Sequence, residues 1–230
     1  MSSKAPLAAV VLSALAAAGC VDQNTSFFIS SAQLPAAGCM APLPGAGSTF
    51  LSRGTLDVSG KTGYLLFPQV ENAMASSAGG TQVNALQMRE YRMEIDMGQI
   101  PGTFPDQLLS FSERTSGYLP PGGKIVSGVW IVPDELAALL AGVVPANVRT
   151  EIIVEVRAVA DKVGSEMETG PFAFPIDICN GCLVDMRATC PDLTKVDPST
   201  YDTNVCGLPQ DSPVTCCSTP TKRCLKTSNL

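Results

Sequence analysis

Nine cysteines lie in this chain of 230 residues, and they divide as one, one and seven. Cys20 closes a hydrophobic amino-terminal segment, Cys39 stands alone, and Cys179, Cys182, Cys190, Cys206, Cys216, Cys217 and Cys224 crowd the last quarter. In an oxidising compartment clustered cysteines become structural disulfides, which brace segments too short of apolar residues to build a core. Parity then constrains the pairing. If Cys20 is engaged in another linkage, eight thiols remain and can pair completely. Seven in the tail is odd, so complete pairing joins Cys39 to a tail cysteine, the nearest of which is Cys179. Such a closure is worth up to ~5 kcal/mol in the chain-entropy account. Breaking it is expected to loosen the tail more than the body.

The first nineteen residues explain how Cys20 is engaged. Lys4 is their only charge, and Ala5 to Ala18 form an uninterrupted run of small and aliphatic residues. The run falls short of the ~20 apolar residues that span a bilayer as a helix, so it reads as an export signal. Leu15-Ala16-Ala17-Ala18-Gly19-Cys20 resembles the lipobox of bacterial lipoproteins, with Ala17 where Leu is commonest. The resemblance implies that Cys20 is acylated on sulfur and becomes the new amino terminus, anchoring the protein to a membrane. With Val21 rather than Asp directly after Cys20, the outer membrane is the expected destination. The alternative is an ordinary secretory signal cut after Ala18, which yields a soluble secreted protein with one thiol left over.

Removing that segment takes away Lys4 and no acid, so the net charge falls from −6 to −7. Such a surface repels nucleic acid, whose binding rests on Lys and Arg neutralising phosphates. There is no histidine, which removes the commonest general base and the commonest metal ligand. No catalytic motif replaces it, and the chain reads as a non-enzyme without a cofactor. Twenty glycines and 18 prolines favour short strands joined by many turns.

Along the chain, residues 20–26 form a short tether and Phe27-Phe28-Ile29 a first strand. Residues 34–49, rich in Pro, Gly and Ala around Cys39, read as an irregular connection. Thr55 to Val58 and Tyr64 to Val70 flank a turn containing Gly60 and Gly63 and read as a hairpin. Glu71 to Thr81 is a polar loop. Leu86 and Met88 are apolar at even positions, Tyr91, Met93, Ile95 and Met97 at odd ones, so a β-bulge is expected at Arg89 and Glu90. Ile125 to Val132 reads as a central strand with Trp130 in the core. Asp134 to Gly142 reads as a helix started by Pro133 and Asp134 and stopped by Gly142. Ile152, Val154, Val156, Ala158 and Ala160 line one face of a strand over 151–160. After a polar loop at 161–170, Phe172, Phe174 and Ile176 return antiparallel to it, ending at Cys179. About eight strands imply an all-β fold: an antiparallel β-sandwich over 20–178, immunoglobulin-like in outline, with one short helix and a disulfide-bonded tail over 179–230.

Candidate chemistry concentrates in the tail. Cys179-Asn180-Gly181-Cys182 has the spacing of a redox or zinc pair, and Leu183 to Arg187 offers the turn of helix that a thioredoxin-type pair needs. Zinc would require four thiolates here, because no imidazole is present. Structural disulfides are the expected state, with redox or metal binding at Cys179 and Cys182 as the alternative. Adjacent Cys216 and Cys217 are expected to bond different partners. Ser59-Gly60-Lys61-Thr62 ends like a phosphate-binding loop but lacks its first glycine. Asn24-Thr25-Ser26 is a formal glycosylation sequon without meaning in a bacterium. Asp192, Asp197, Asp202 and Asp211 match no calcium loop and read as solvated turn residues. Trp130 and Tyr64 offer rings for stacking on a glycan, although Trp130, inside an aliphatic run, reads as core.

Three stretches carry a resemblance: Asp22-Gln23-Asn24-Thr25-Ser26 after the anchoring cysteine, Phe174-Pro175-Ile176-Asp177-Ile178-Cys179-Asn180-Gly181-Cys182, and Gln210-Asp211 ahead of Cys216-Cys217. Together they resemble a class of uncharacterised cell-envelope lipoproteins of myxobacterial type with a cysteine-rich ending. The resemblance implies a location, the lipid-anchored cell envelope, with an envelope protein or glycan as the expected kind of partner.

Overall fold

Alternation of apolar and polar residues runs through the longest strands, Leu86–Asp96 and Arg149–Lys162. The computed structural model describes residues 26–36, 39–44, 49–76, 83–187, 206, 208–217 and 223–226. Residues 1–25, Cys20 among them, and Cys190 lie outside them. In chain order the elements are β1 (Phe27–Gln33), β2 (Phe50–Leu51), β3 (Gly54–Asp57), β4 (Tyr64–Asn72), β5 (Leu86–Asp96), α1 (Asp106–Leu109), β6 (Ser110–Leu119), β7 (Lys124–Val126), β8 (Val129–Val132), α2 (Asp134–Val143), β9 (Arg149–Lys162), β10 (Ser165–Glu168), β11 (Phe172–Cys179), β12 (Val184–Arg187), β13 (Val214–Cys217) and β14 (Arg223–Lys226).

The fold is all-β. One sheet runs β2-β1-β4-β7, with β8 also on β4; the other runs β3-β11-β9-β5-β6, with β10 on β9. Their inner faces supply one apolar core. Phe27, Ile29, Leu66, Val70 and Val129 come from the first sheet, and Tyr91, Met93, Val154, Val156, Phe174 and Ile176 from the second. Leu136 and Leu140 of α2 add to it. Each large side chain taken fully out of water contributes roughly 1.5–3 kcal/mol. A third sheet, β12-β13-β14, is formed by the tail.

Several expectations hold residue by residue. The alternation of β9 buries Ile152, Val154, Val156, Ala158 and Ala160. β11 pairs antiparallel to it from Phe172 opposite Val156 to Cys179 opposite Arg149. The register of β5 against both its neighbours shifts between Met88 and Glu90, where the parity of the apolar residues changes.

Other expectations are corrected. β3 and β4 do not form a hairpin: β3 pairs parallel with β11, and β4 belongs to the opposite sheet. A 3-10 turn over Val58–Gly60, ended by Lys61 at φ 54°, carries the chain across the core, so Ser59 to Thr62 is a crossover and no helix follows it. At Gly63 a Cβ would lie 2.0 Å from the Val132 carbonyl oxygen, so only glycine lets β4 begin beside β8. The run 125–132 is two strands at the sheet margin, because Ser127 and Gly128 interrupt it. Trp130 pairs with Leu65 on the outward face and is half-buried, while Val129 and Ile131 take the core. The polar stretch 161–170 extends β9 to Lys162, turns at Gly164 (φ 80°), and returns as β10. α2 runs through Gly142 to Val143.

Candidate functional site

The residues with chemical potential meet where the tail joins the sandwich, and Asp57 organises the junction. It stands between Leu56 and Val58 at the end of β3, and all three are fully buried. One carboxylate oxygen accepts the N–H of Ser59 at 3.0 Å and of Gly181 at 2.8 Å. The other accepts Leu183 at 2.6 Å and Val184 at 3.0 Å. Burial alone would raise its pKa. The Gly181 N–H, joined by those of Leu183 and Ser59, outweighs burial and holds the carboxylate below the ordinary aspartate value.

The loop so held carries the Cys179–Cys182 disulfide, with Cα atoms 5.9 Å apart. Within it Asn180 donates its side-chain amide to the carbonyls of Ala141 and Val144, capping the end of α2. Leu183 leads into β12, not into a helix, so these cysteines lack the helix N-terminus that lowers a thiol pKa in thioredoxin-type pairs. Asp57, Cys179 and Cys182 bring three potential metal ligands within 4.8 Å of one another. Their donors are already committed: the sulfurs to each other, and both Asp57 oxygens to backbone N–H groups.

A second covalent link approaches the same junction. Cys39, at φ 60°, is bonded to Cys206, 167 positions away, with Cα atoms 4.6 Å apart. Directly after Cys206 the tail enters the gap between β3 and β4. Asp57 N–H donates to Pro209 O at 2.9 Å, and Gln210 bridges antiparallel to Leu56. Asp211 N–H donates to Thr55 O at 2.9 Å. On the other side the Gln210 side chain imitates a strand: its oxygen accepts Leu65 N–H and its amide donates to Leu65 O, each at 2.9 Å. Asp211 accepts Thr55 N–H at 2.8 Å and Tyr64 OH at 2.6 Å. Asp211 is therefore not a solvated turn residue. Burial raises its pKa in spite of these bonds, and burial, followed by the Asp211 charge, pushes the Tyr64 phenol far up. Enclosed in the core, Tyr64 cannot stack on a glycan.

The opposite margin of the sandwich has its own polar link, in which Glu113 of β6 accepts the N–H of Trp130 in β8 at 2.7 Å. Burial raises the Glu113 pKa, only partly offset by that hydrogen bond. A folded pKa above the unfolded one means that stability is fullest at low pH and falls as pH rises through the folded value. Glu113→Gln keeps an acceptor without a charge. At pH 7 it is expected to be neutral or stabilising by up to about 1 kcal/mol, and to flatten stability between pH 4 and 7 in urea titrations.

Of the other cysteines, Cys216 lies opposite Cys224 in the β13–β14 register, and Cys217 lies opposite Arg223. Asp192, Asp197, Asp202, Asn24 and Thr25 lie outside the described residues, as do Cys20 and Cys190. Asp57 and Asn180 were not singled out in the sequence; the one available signal was an acid flanked by Leu56 and Val58 in a strand. On the outward face of the larger sheet, Arg89, Arg92 and Arg157 are paired with Glu90, Glu94, Glu155, Asp161, Glu166 and Glu168. No helix among the described residues is long and apolar enough to cross a membrane. No protein family, curated protein or solved structure matches the chain.

Proposed function

We propose that the chain is a non-enzymatic lipoprotein of the bacterial cell envelope, anchored through acylated Cys20 at the outer membrane, where its β-sandwich acts as a structural or binding module. The observation that carries this reading is the Cys39–Cys206 disulfide, which ties the start of the body to its tail. Structural disulfides belong chiefly to oxidising compartments, and the export signal and lipobox lead there. The non-enzymatic part rests on the junction, where the cluster of metal-type ligands found among the described residues has its donors committed, in a chain without histidine. Half-buried Trp130 on an outward face suits a glycan or protein partner.

Mass spectrometry of non-reduced protein taken from cells tests the reading. It expects a mature chain beginning at Cys20, carrying acyl mass and no free thiol. A chain that begins at Met1, or is cut without lipid, overturns the anchor; the second result makes it a soluble secreted domain. A second reading, thiol exchange at Cys179–Cys182, is favoured by the asymmetry of the pair, since Cys179 is buried and Cys182 sits in the surface loop. Rapid reduction by mild thiol would support it, and resistance would sink it.

A further inference from the structure

The slot between β3 and β4 has the properties of a strand-acceptor site. Backbone groups of Thr55, Leu56 and Asp57 meet the inserted segment on one side, and both backbone groups of Leu65 meet it on the other. Recognition goes beyond the backbone, because Tyr64 OH and Thr55 N–H select an acid and Leu65 selects a primary amide. The occupant comes from a segment 145 positions or more along the chain, and beside the slot it is fastened covalently, among the described residues, by Cys39–Cys206.

We propose that this slot also accepts residues 208–211 from a second copy of the chain, so that two copies exchange tails reciprocally and are joined by two Cys39–Cys206 disulfides. The second copy carries the same Leu-Pro-Gln-Asp sequence and the same Cys206, so every hydrogen bond of the closed chain is reproduced between chains. Reciprocal exchange gives a closed two-fold assembly, which leaves no slot empty. The disulfides form by thiolate attack of Cys39 on a mixed disulfide at the other chain's Cys206, releasing the small thiol of the redox buffer, so electrons balance without a further oxidant.

Two full-length variants test this. A Cys39→Ser chain and a Cys206→Ser chain each lack one half of the staple, and only together can they form it. Mixed in a glutathione redox buffer, they should give a covalent heterodimer on non-reducing gels, with the bond mapped to Cys39 and Cys206. Adding Gln210→Ala and Asp211→Ala to the Cys39→Ser chain should lower the yield by about tenfold or more, since each buried hydrogen bond lost is worth roughly one factor of ten. No heterodimer between folded variants, or an equal yield without Gln210 and Asp211, overturns the proposal. Wild-type protein answers the case in which the variants fail to fold. Isotopically heavy and light copies, reshuffled together at high concentration, should yield a heavy–light Cys39–Cys206 peptide pair, and its absence overturns the proposal as well.

Discussion

Asp57→Ala is expected to destabilise the protein by about 3 to 5 kcal/mol, because four N–H groups lose their one buried acceptor at once. Asp57→Asn, which keeps one acceptor oxygen and places a donor against the remaining N–H groups, should fall between alanine and wild type. Urea unfolding monitored by circular dichroism checks both, with a lower midpoint at an unchanged slope. The pH dependence identifies the carboxylate as the cause. Its folded pKa lies below the ordinary value of 3.8, so its contribution is fully present above that pH and is lost as pH falls through the folded value. The gap between wild type and Asp57→Asn should therefore be constant near neutrality and close in acid. A gap that stays constant down to pH 2 would assign the loss to shape instead of charge.

The second large effect belongs to the long disulfide. Cys39→Ser with Cys206→Ser removes a closure of 167 positions, worth up to about 5 kcal/mol in the chain-entropy account. From the sequence, this cut was expected to loosen the tail more than the body. The inserted segment changes that expectation. Once Pro209 to Asp211 withdraw, the backbone groups of Thr55, Asp57 and Leu65 lose their partners, and Tyr64 is left with a buried hydroxyl. Hydrogen exchange should show protection falling at the Thr55, Asp57 and Leu65 amides together with the tail. If only the tail exchanges faster, the slot is held shut without its occupant.

Much of the sandwich was legible because its strands are long and one-sided. β9 and β11 announce themselves by period-two burial, and the bulge in β5 by a change of parity, since one extra residue moves every later side chain to the other face. β6 was missed. Its sequence, Ser110 to Leu119, is polar at most positions because it lies at the end of its sheet, where alternation has little apolar contrast. The hairpin assigned to β3 and β4 failed for a different reason. Short-range turn signals around Gly60 and Gly63 were real, but the neighbour of β3 is decided by contacts with β11 and Gln210, more than a hundred positions away.

The junction was legible only in its sulfur. Counting cysteines asked for a bond from Cys39 into the tail but could not choose Cys206 among seven candidates. Nothing in local sequence distinguishes Gln210, which serves as a side-chain surrogate for a strand, from an exposed turn residue. Asp211 misled for the same reason, since in a Ser- and Pro-rich stretch an acid ordinarily faces water.

A consequence concerns the order in which the polypeptide is made. The seat for Gln210 is translated 145 codons before its occupant, so a growing chain emerges from the ribosome with its lateral seam open. Native closure then waits until Gln210 itself has been translated. A transcript cut short before codon 209 would specify a product that carries no seal of its own, however well its first strands pair.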